Sequence, residues 1–373
     1  MHLTDVRLDH FRNLASVRLD VPPGGAILVG DNGQGKTNFL EAVHYLSLFR
    51  SFRGARHDDA IAFEAEHFRV EGGVEYVDGG RRTVAVAADR GRRRVAVDGV
   101  EASPLSDAVG SVLSVVVAPD DSSLVTGPPG GRRRYLDTLL GLTSRGYARG
   151  LRDYDRILRQ RNELLRGPER ASGPVMASWD ESLVTTGAPL VAARATLVRR
   201  LAERFAAAAG AIAGAEERTD YGLAFRPSVP IDEARASDRE AVAAAWAEAL
   251  AAAYGEDRAR GWTTVGFHRD DLSIRLGSRP LDRFGSQGER RTAAIALRLL
   301  EARVLEDDTR HSPILLLDDV FSELDEGRAR RLLEWLGEGR QRFVTSPRPL
   351  PDLDVGGSLA RWRVRSGRIV PAA

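Results

Sequence analysis

Cysteine is absent from the sequence, and lysine occurs once. Without thiols there can be no disulfide and no thiolate-ligated metal. Long apolar runs are missing too. No segment approaches the roughly 18 consecutive apolar residues of a membrane-spanning helix. Met1 to Asp20 alternate apolar with charged residues, where a secretory leader would carry an apolar core. A cytoplasmic protein with no membrane partner is expected. A charge excess is lacking as well: 54 basic residues face 53 acidic ones, a net charge of +1. That balance hides clusters at Arg92 to Arg94, at Arg132 to Arg134, and at Arg50, Arg53 and Arg56. A near-neutral chain can still present such clusters to nucleic acid, although a single run of arginines most often forms a solvated face.

What is present is a globular composition of 43% hydrophobic and 29% charged residues in 373, enough for two domains with ample core. The single lysine, Lys36, marks the centre of the chain's organisation. It stands among 53 arginines, the rest of the 54 basic residues. A lysine kept at one place only argues for a compact ammonium that a planar guanidinium cannot replace. Around it, Ala26 to Val29 form a short uncharged run, the pattern of a buried strand. Gly30-Asp31-Asn32-Gly33-Gln34-Gly35-Lys36-Thr37 then fit the phosphate-loop pattern G-x-x-x-x-G-K-[ST]. Asn38 opens the following helix, with Phe39, Leu40, Val43 and Leu46 on one side. Glycines let the backbone N–H groups approach a triphosphate, and the helix N-terminus adds positive charge there. In this arrangement Lys36 would neutralise the β and γ phosphates of the triphosphate and Thr37 would hold Mg²⁺.

Residues 2 to 21 alternate as two half-buried strands, with His10 to Asn13 turning the chain between them. Phe68 to Val100 return to period two, as a hairpin with its turn at Asp89 to Gly91, in a meander beside the phosphate-loop sheet. Val112 to Ala118 read as a second buried strand, and Gly127-Pro-Pro-Gly-Gly131 as a boundary. Tyr147, Leu151, Tyr154, Leu158 and Leu165 then recur at spacings of four and three, with Arg161 breaking the seam. Trp179, Leu183, Leu190, Leu197 and Leu201 make a second seam, beyond a turn at 167 to 174. The pair predicts an antiparallel hairpin of helices about 22 residues, or roughly 33 Å, long. Ala-rich stretches at 205 to 216 and 241 to 253 predict further helices. Strand alternation resumes at Leu272 to Leu276, and a helix is expected over 287 to 306. Pro313-Ile-Leu-Leu-Leu-Asp318-Asp319 reads as a buried strand running into two carboxylates. A helix from Glu326 and strands at 342 to 345 and 361 to 365 complete the pattern. The expectation is an α/β head over 1–131 and 258–373, split by a helical arm over 132–257.

A strand ending in paired carboxylates is the natural partner of a phosphate loop. Asp318 would complete the Mg²⁺ shell, and Asp319 would orient and deprotonate the attacking water. Ser286-Gln287-Gly288 opens a helix and makes a second anion site. Ser286 with Glu289 also fits an ordinary capping box. Ser322-Glu-Leu-Asp325 follows the carboxylate pair.

Together the phosphate loop, the inserted arm, Ser286-Gln287-Gly288, Asp318-Asp319 and the loop to Asp325 resemble an ABC-type ATPase head of the SMC/Rad50 class. Phe11-Arg12-Asn13, Arg50-Ser-Phe-Arg53, Gly127 to Asp137 and Gly266-Phe-His-Arg-Asp-Asp271 point within that class to the RecF family of bacterial DNA replication and repair proteins. The resemblance implies an ATP-dependent homodimer on double-stranded DNA and on single-strand/double-strand junctions, with slow, DNA-stimulated hydrolysis. Its setting would be recombinational repair, replication-fork maintenance and the SOS response. It implies recombinase loading at single-strand gaps with RecR and RecO as partners. ATP would lie between Lys36, Thr37, Asp318 and Asp319 of one subunit and Ser286 of the other, with Gln287, Gly288 and Asp325 nearby. Arg12 and Asn13 would meet the adenine. Three departures from the ABC pattern stand out. No Gln follows the strand at 112 to 118, where Asp120 is the substitute considered. Asp319 replaces the usual Glu. No switch His follows the strand at 342 to 345, which leaves Thr345 or Ser346. Phe267 stands where the resemblance leads one to expect Pro. A transporter energy module shares the head but needs the missing Gln and His. A small-molecule phosphotransferase needs an acceptor pocket, for which only His268 offers a hint. Arg50, Arg53, Arg56, Arg132, Arg133 and Arg134 are the candidates for DNA contact.

Overall fold

A computed structural model of the chain describes residues 1–167, 173–214, 220–337, 339–348 and 359–372. It divides into two compact units. The first holds Met1–Asp121, Ala211–Glu217 and Ala294–Ala373; the second holds Ser122–Gly210 and Arg218–Ala293.

The chain begins with β1 (His2–Phe11), β2 (Leu14–Asp20), β3 (Gly25–Val29) and α1 (Lys36–Leu48). β4 (His67–Glu75), β5 (Arg81–Asp89), β6 (Arg92–Val97) and β7 (Val100–Glu101) follow, then β8 (Ser114–Val117). Next come α2 (Ser122–Thr126), α3 (Pro129–Thr143), α4 (Arg145–Arg166) and α5 (Gly173–Ala213). β9 (Tyr221–Arg226), α6 (Arg239–Arg260), β10 (Asp271–Leu276), β11 (Arg279–Pro280) and α7 (Leu281–Phe284) lead to α8 (Gln287–Thr309). The chain finishes with β12 (Ile314–Leu317), α9 (Glu326–Leu336), β13 (Arg342–Ser346), β14 (Ala360–Arg365) and β15 (Arg368–Pro371).

The first unit carries two sheets. One is the antiparallel meander β2-β1-β4-β5-β6-β7. Its strands bury alternate residues, such as Phe68, Val70 and Val74 on β4, which is the period-two pattern of a sheet with one wet face. The other runs β15-β14-β3-β13-β12-β8 and is parallel from β14 through β8. Every residue of β8, β12 and β13 is buried, and β12 is apolar throughout. Such strands cannot be half-solvated, and they sit where a parallel sheet is covered. The two sheets are joined by Gln341. Its side chain accepts from Leu3 N at 2.7 Å and donates to Leu3 O at 2.8 Å and Pro22 O at 2.9 Å. This is the expected α/β head with its antiparallel meander.

The second unit is helical, with one small sheet, β11-β10-β9. That sheet corrects the all-helical reading of 132 to 257, since β9 pairs antiparallel with β10 from Asp271↔Arg226 to Leu276↔Tyr221. The pairing ties β10 to the helical region, so positions 131 and 258 both fall inside the second unit. Two helices also differ from expectation. α5 is one continuous helix of 41 residues, which absorbs the Ala-rich stretch read as separate, with Pro189 inside it. α3 starts at Pro129, in the segment read as a boundary: Pro at the first turn loses no helical hydrogen bond. The turn expected at 167 to 174 falls largely on 168 to 172, outside the described residues. In the first seam Ile157, not Leu158, is the buried partner of Tyr154 and Leu165. Arg161 is no break in it. The side chain is fully buried and pairs with Asp180 at 2.6 Å and Asp257 at 2.7 Å.

Candidate nucleotide site

In the parallel sheet β13 lies between β3 and β12, and all three point the same way. Their C-terminal ends therefore come out at one edge, where ligands of open α/β sheets bind. The edge collects the phosphate loop after β3, Thr345 and Ser346 at the end of β13, and Asp318 and Asp319 after β12.

Thr37 donates to Asp318 Oδ1 at 2.8 Å, and Thr345 donates to the same oxygen at 2.8 Å. Thr345 Oγ1 in turn accepts from the backbone N–H of Asp319 at 2.8 Å. One carboxylate oxygen thus joins the start of α1 to the ends of β12 and β13. Burial pushes the Asp318 carboxyl above its usual range; the hydroxyls of Thr345 and Thr37 and the charge of Arg53 oppose this, while Asp319 adds to it. Asp319 takes a left-handed backbone (φ 49°) and accepts from the Ser322 hydroxyl. Asp and Asn tolerate that conformation better than other side chains, and strain of this kind collects at functional sites.

The loop itself is held from two sides. Gly30 packs so closely on β14 that a Cβ there would sit 2.2 Å from Val364 O. Gln34 accepts from Ser366 N at 2.5 Å through Oε1 and from Gly367 N at 2.9 Å through its carbonyl. Gly35 adopts φ 116° immediately before α1, a conformation costly for any side chain. Lys36 is buried, and its Nζ donates to Gly30 O at 2.5 Å and Asp31 O at 2.9 Å. Burial lowers its pKa, against the pull of Asp319, Asp318 and Asp31. Asn32 and Gly33 lie on the exposed part of the loop. On the opposite side, Asn13 donates to Gly33 O at 3.3 Å and accepts from Asn38 at 2.8 Å. Arg12 donates to the buried carboxylate of Glu41.

Ser286, Gln287 and Gly288 open α8 within the second unit. Ser286 Oγ accepts from Glu289 N at 3.2 Å while Ser286 N donates to Glu289 Oε2 at 2.7 Å, so the capping box is formed and both Ser286 and Gln287 are exposed. Asp325 caps α9 by accepting from Arg328 N at 2.9 Å, which lowers its pKa. After β8 the buried acid is Asp121, not Asp120. It pairs with Arg298 at 2.7 Å and accepts from Ala118 N at 2.8 Å.

The arginines expected at DNA divide. Arg132 is a correction: it is buried in a fork on Asp271 at 2.8 and 2.9 Å and donates to Gly127 O at 2.7 Å, so it has no guanidinium to offer. Arg133 donates to Asp270 O at 2.8 Å. Arg50, Arg53, Arg56 and Arg134 are exposed, and Arg53 also reaches Asn38 at 3.3 Å. His268 is structural. Its ring nitrogens meet Tyr154 Oη at 2.7 Å and Thr263 O at 3.0 Å, and burial pushes its pKa down to about 4. Phe267 has an explanation here: its ring face carries the Arg194 guanidinium at 3.4 Å. Glu41 was not singled out from the sequence. Its signal was a carboxylate in a helix whose residues 39 to 47 are all buried.

The model of the RecF/RecN/SMC N-terminal domain matches residues 2–349. The DNA replication and repair protein RecF of Symbiobacterium thermophilum is 39% identical, over 99% of this chain and 98% of its own. RecF of Anaeromyxobacter sp. (strain K) is also 39% identical, over 100% and 99%. Among solved structures, the recombination mediator protein RecF with ATP in the RecFOR pathway superposes with a TM-score of 0.91 at 28% identity, covering 100% of this chain and 98% of that one. An SMC head bound to the C-winged helix domain of ScpA gives 0.54 at 15% identity, a likeness of fold alone. With its phosphate loop, paired carboxylates and full-length likeness to these relatives, the chain belongs to the RecF family, on the head fold of the SMC proteins.

Proposed function

We propose that the chain is a DNA-binding ATPase of recombinational repair, in which ATP drives dimerisation on DNA and assists recombinase loading at single-strand gaps. The observation that carries this is the junction of Thr37, Asp318 and Thr345 at the mouth of the phosphate loop. The relative solved with ATP supports the choice of nucleotide.

Thr37 and Asp318 are the residues that would hold Mg²⁺. Their oxygens already converge at 2.8 Å, and a hydroxyl with a carboxylate is the donor set of a hard cation. When bound, the ion offsets charge on the β and γ phosphate oxygens. Lys36 gives up its bonds to Gly30 O and Asp31 O and donates to the phosphates instead. The loop N–H groups and the N-terminus of α1 face the same charge. Asp319 orients the attacking water and accepts its proton. Ser286, with Gln287 and Gly288, closes the site from the partner subunit, and Asp325 meets the partner beside it. Arg12 and Asn13 flank the base. Exposed arginines, Arg50, Arg56 and Arg134 among them, contact duplex phosphates without reading sequence. RecR and RecO are the proposed protein partners.

Binding of fluorescent ATP with and without Mg²⁺ tests the reading. The parent chain is expected to bind ATP more tightly with Mg²⁺, and Thr37→Ala to lose that dependence. A parent chain indifferent to ATP, or to the metal, would refute the proposal.

A further inference from the structure

Glu41 lies five residues after Lys36 on α1, and its side chain is fully buried. Its partners come from two other segments. From the β1–β2 turn, Arg12 donates through Nε to Oε2 at 3.1 Å and through Nη2 to Oε1 at 2.8 Å. From the loop after α1, the Ser51 hydroxyl donates to Oε1, and Arg53 Nη1 stands 3.8 Å from Oε2. One carboxylate therefore faces two guanidiniums beside the phosphate loop, while Arg12 also feels the charge of Asp59 and Arg53 that of Asp318.

The contacts continue to the loop backbone. Arg53 donates to Asn38 Oδ1 at 3.3 Å, Asn38 to Asn13 Oδ1 at 2.8 Å, and Asn13 to Gly33 O at 3.3 Å. Arg12 is fixed further by a bond to Asp59 O at 2.6 Å, on a left-handed backbone of φ 55°. A buried ion pair seldom stabilises a fold more than packed apolar side chains would. A carboxylate here is better explained by where it places its partners.

We propose that Glu41 is a positioning residue for the nucleotide: it holds the guanidiniums of Arg12 and Arg53 in place at the mouth of the phosphate loop. The inference rests on the nucleotide reading above. Its sign is unusual. Removing a negative charge beside an anionic ligand should tighten binding on Coulombic grounds alone. Removing a positioning group should loosen it.

The test is the ATP dissociation constant of Glu41→Gln, Arg12→Lys and the double variant, with thermal midpoints measured alongside. Glu41→Gln is expected to weaken ATP binding about tenfold despite the gain in positive charge, and Arg12→Lys to weaken it similarly, since an ammonium cannot reproduce the fork. The double variant should be no weaker than the worse single one. Unchanged or tighter binding by folded Glu41→Gln, with only the thermal midpoint lowered, would overturn the proposal. Should Glu41→Gln fail to fold, Arg12→Lys and Ser51→Ala keep the carboxylate in place and decide by the same criterion. A parent chain that binds no ATP overturns the nucleotide reading and this inference together.

Discussion

Thr37 and Asp318, 281 residues apart in the chain, share a hydrogen bond of 2.8 Å. Between them in sequence lies the whole of the second unit. The head is thus completed only when the last part of the chain returns to pair β12 and β13 beside β3. Thr345 is the third member of the junction. Its hydroxyl donates to Asp318 Oδ1 and accepts from the Asp319 amide.

Lys36→Arg should abolish the ATP response although the charge is kept. Lys36 Nζ sits buried against Gly30 O and Asp31 O, a concavity sized for an ammonium. A guanidinium is wider and planar, and it cannot turn its donors into the loop. ATP affinity is the measurement, with a loss of at least about a hundredfold expected, or about 2.7 kcal/mol. Binding within about threefold of the parent would show that the single lysine is incidental.

The first unit should weaken in mild acid. His44 is fully buried against the Ser114 hydroxyl at 3.0 Å, and burial, helped by Arg298 and Arg50, pushes its pKa down from 6.5 to about 3. Below 6.5 the unfolded chain takes up a proton that the folded chain refuses. Stability present at neutral pH is therefore lost as the pH falls from 6.5 toward 3. The loss reaches about 2 kcal/mol near pH 5. Denaturant titrations at several pH values, parent against His44→Gln, check this; equal slopes in the two would contradict it.

Within the arginine cluster of α3, Arg132 and Arg134 should behave oppositely. Arg132→Ala breaks the fork on Asp271 and should cost about 2 kcal/mol of stability while leaving the salt dependence of DNA binding unchanged. Arg134→Ala should leave stability alone and reduce the salt slope by about 0.9. DNA affinity against salt, measured for both, separates a structural arginine from a phosphate contact.

Much of this architecture was legible because its signals are local. The phosphate loop, the Asp318-Asp319 strand end and each alternating strand of the β-meander declare themselves within a dozen residues. What stayed hidden depended on distant partners. β9 is a six-residue strand whose Leu223, Ala224 and Phe225 are all buried, so no alternation marks it. It becomes a strand only because β10 pairs with it. Arg161 reads as a flaw in a helical seam until Asp180 and Asp257 arrive from other helices. Arg132 looks like a free cation until Asp271 closes on it. Glu41 drew no notice among apolar neighbours, since the arginines that explain it lie on other segments.

The composite site makes a prediction about the second unit. Ser286 is exposed at the start of α8, where its capping box faces solvent. Ser286→Arg should leave ATP binding by the single subunit intact and block pairing, because a cation would meet the positive end of a helix and the partner's site. ATP binding and mass should thus separate in this variant. A variant that pairs normally with ATP would remove Ser286 from the interface.

The central claim, that ATP binding drives pairing and hydrolysis releases it, is tested most directly by sedimentation velocity of Asp319→Asn with and without ATP. Asn tolerates the left-handed backbone of this position and can still hold a water, but it accepts no proton. The account predicts a monomer without nucleotide and a persistent dimer with ATP, in contrast to a dimer that decays in the parent chain. An Asp319→Asn chain that stays monomeric with ATP, or whose dimer decays at the parental rate, would contradict it.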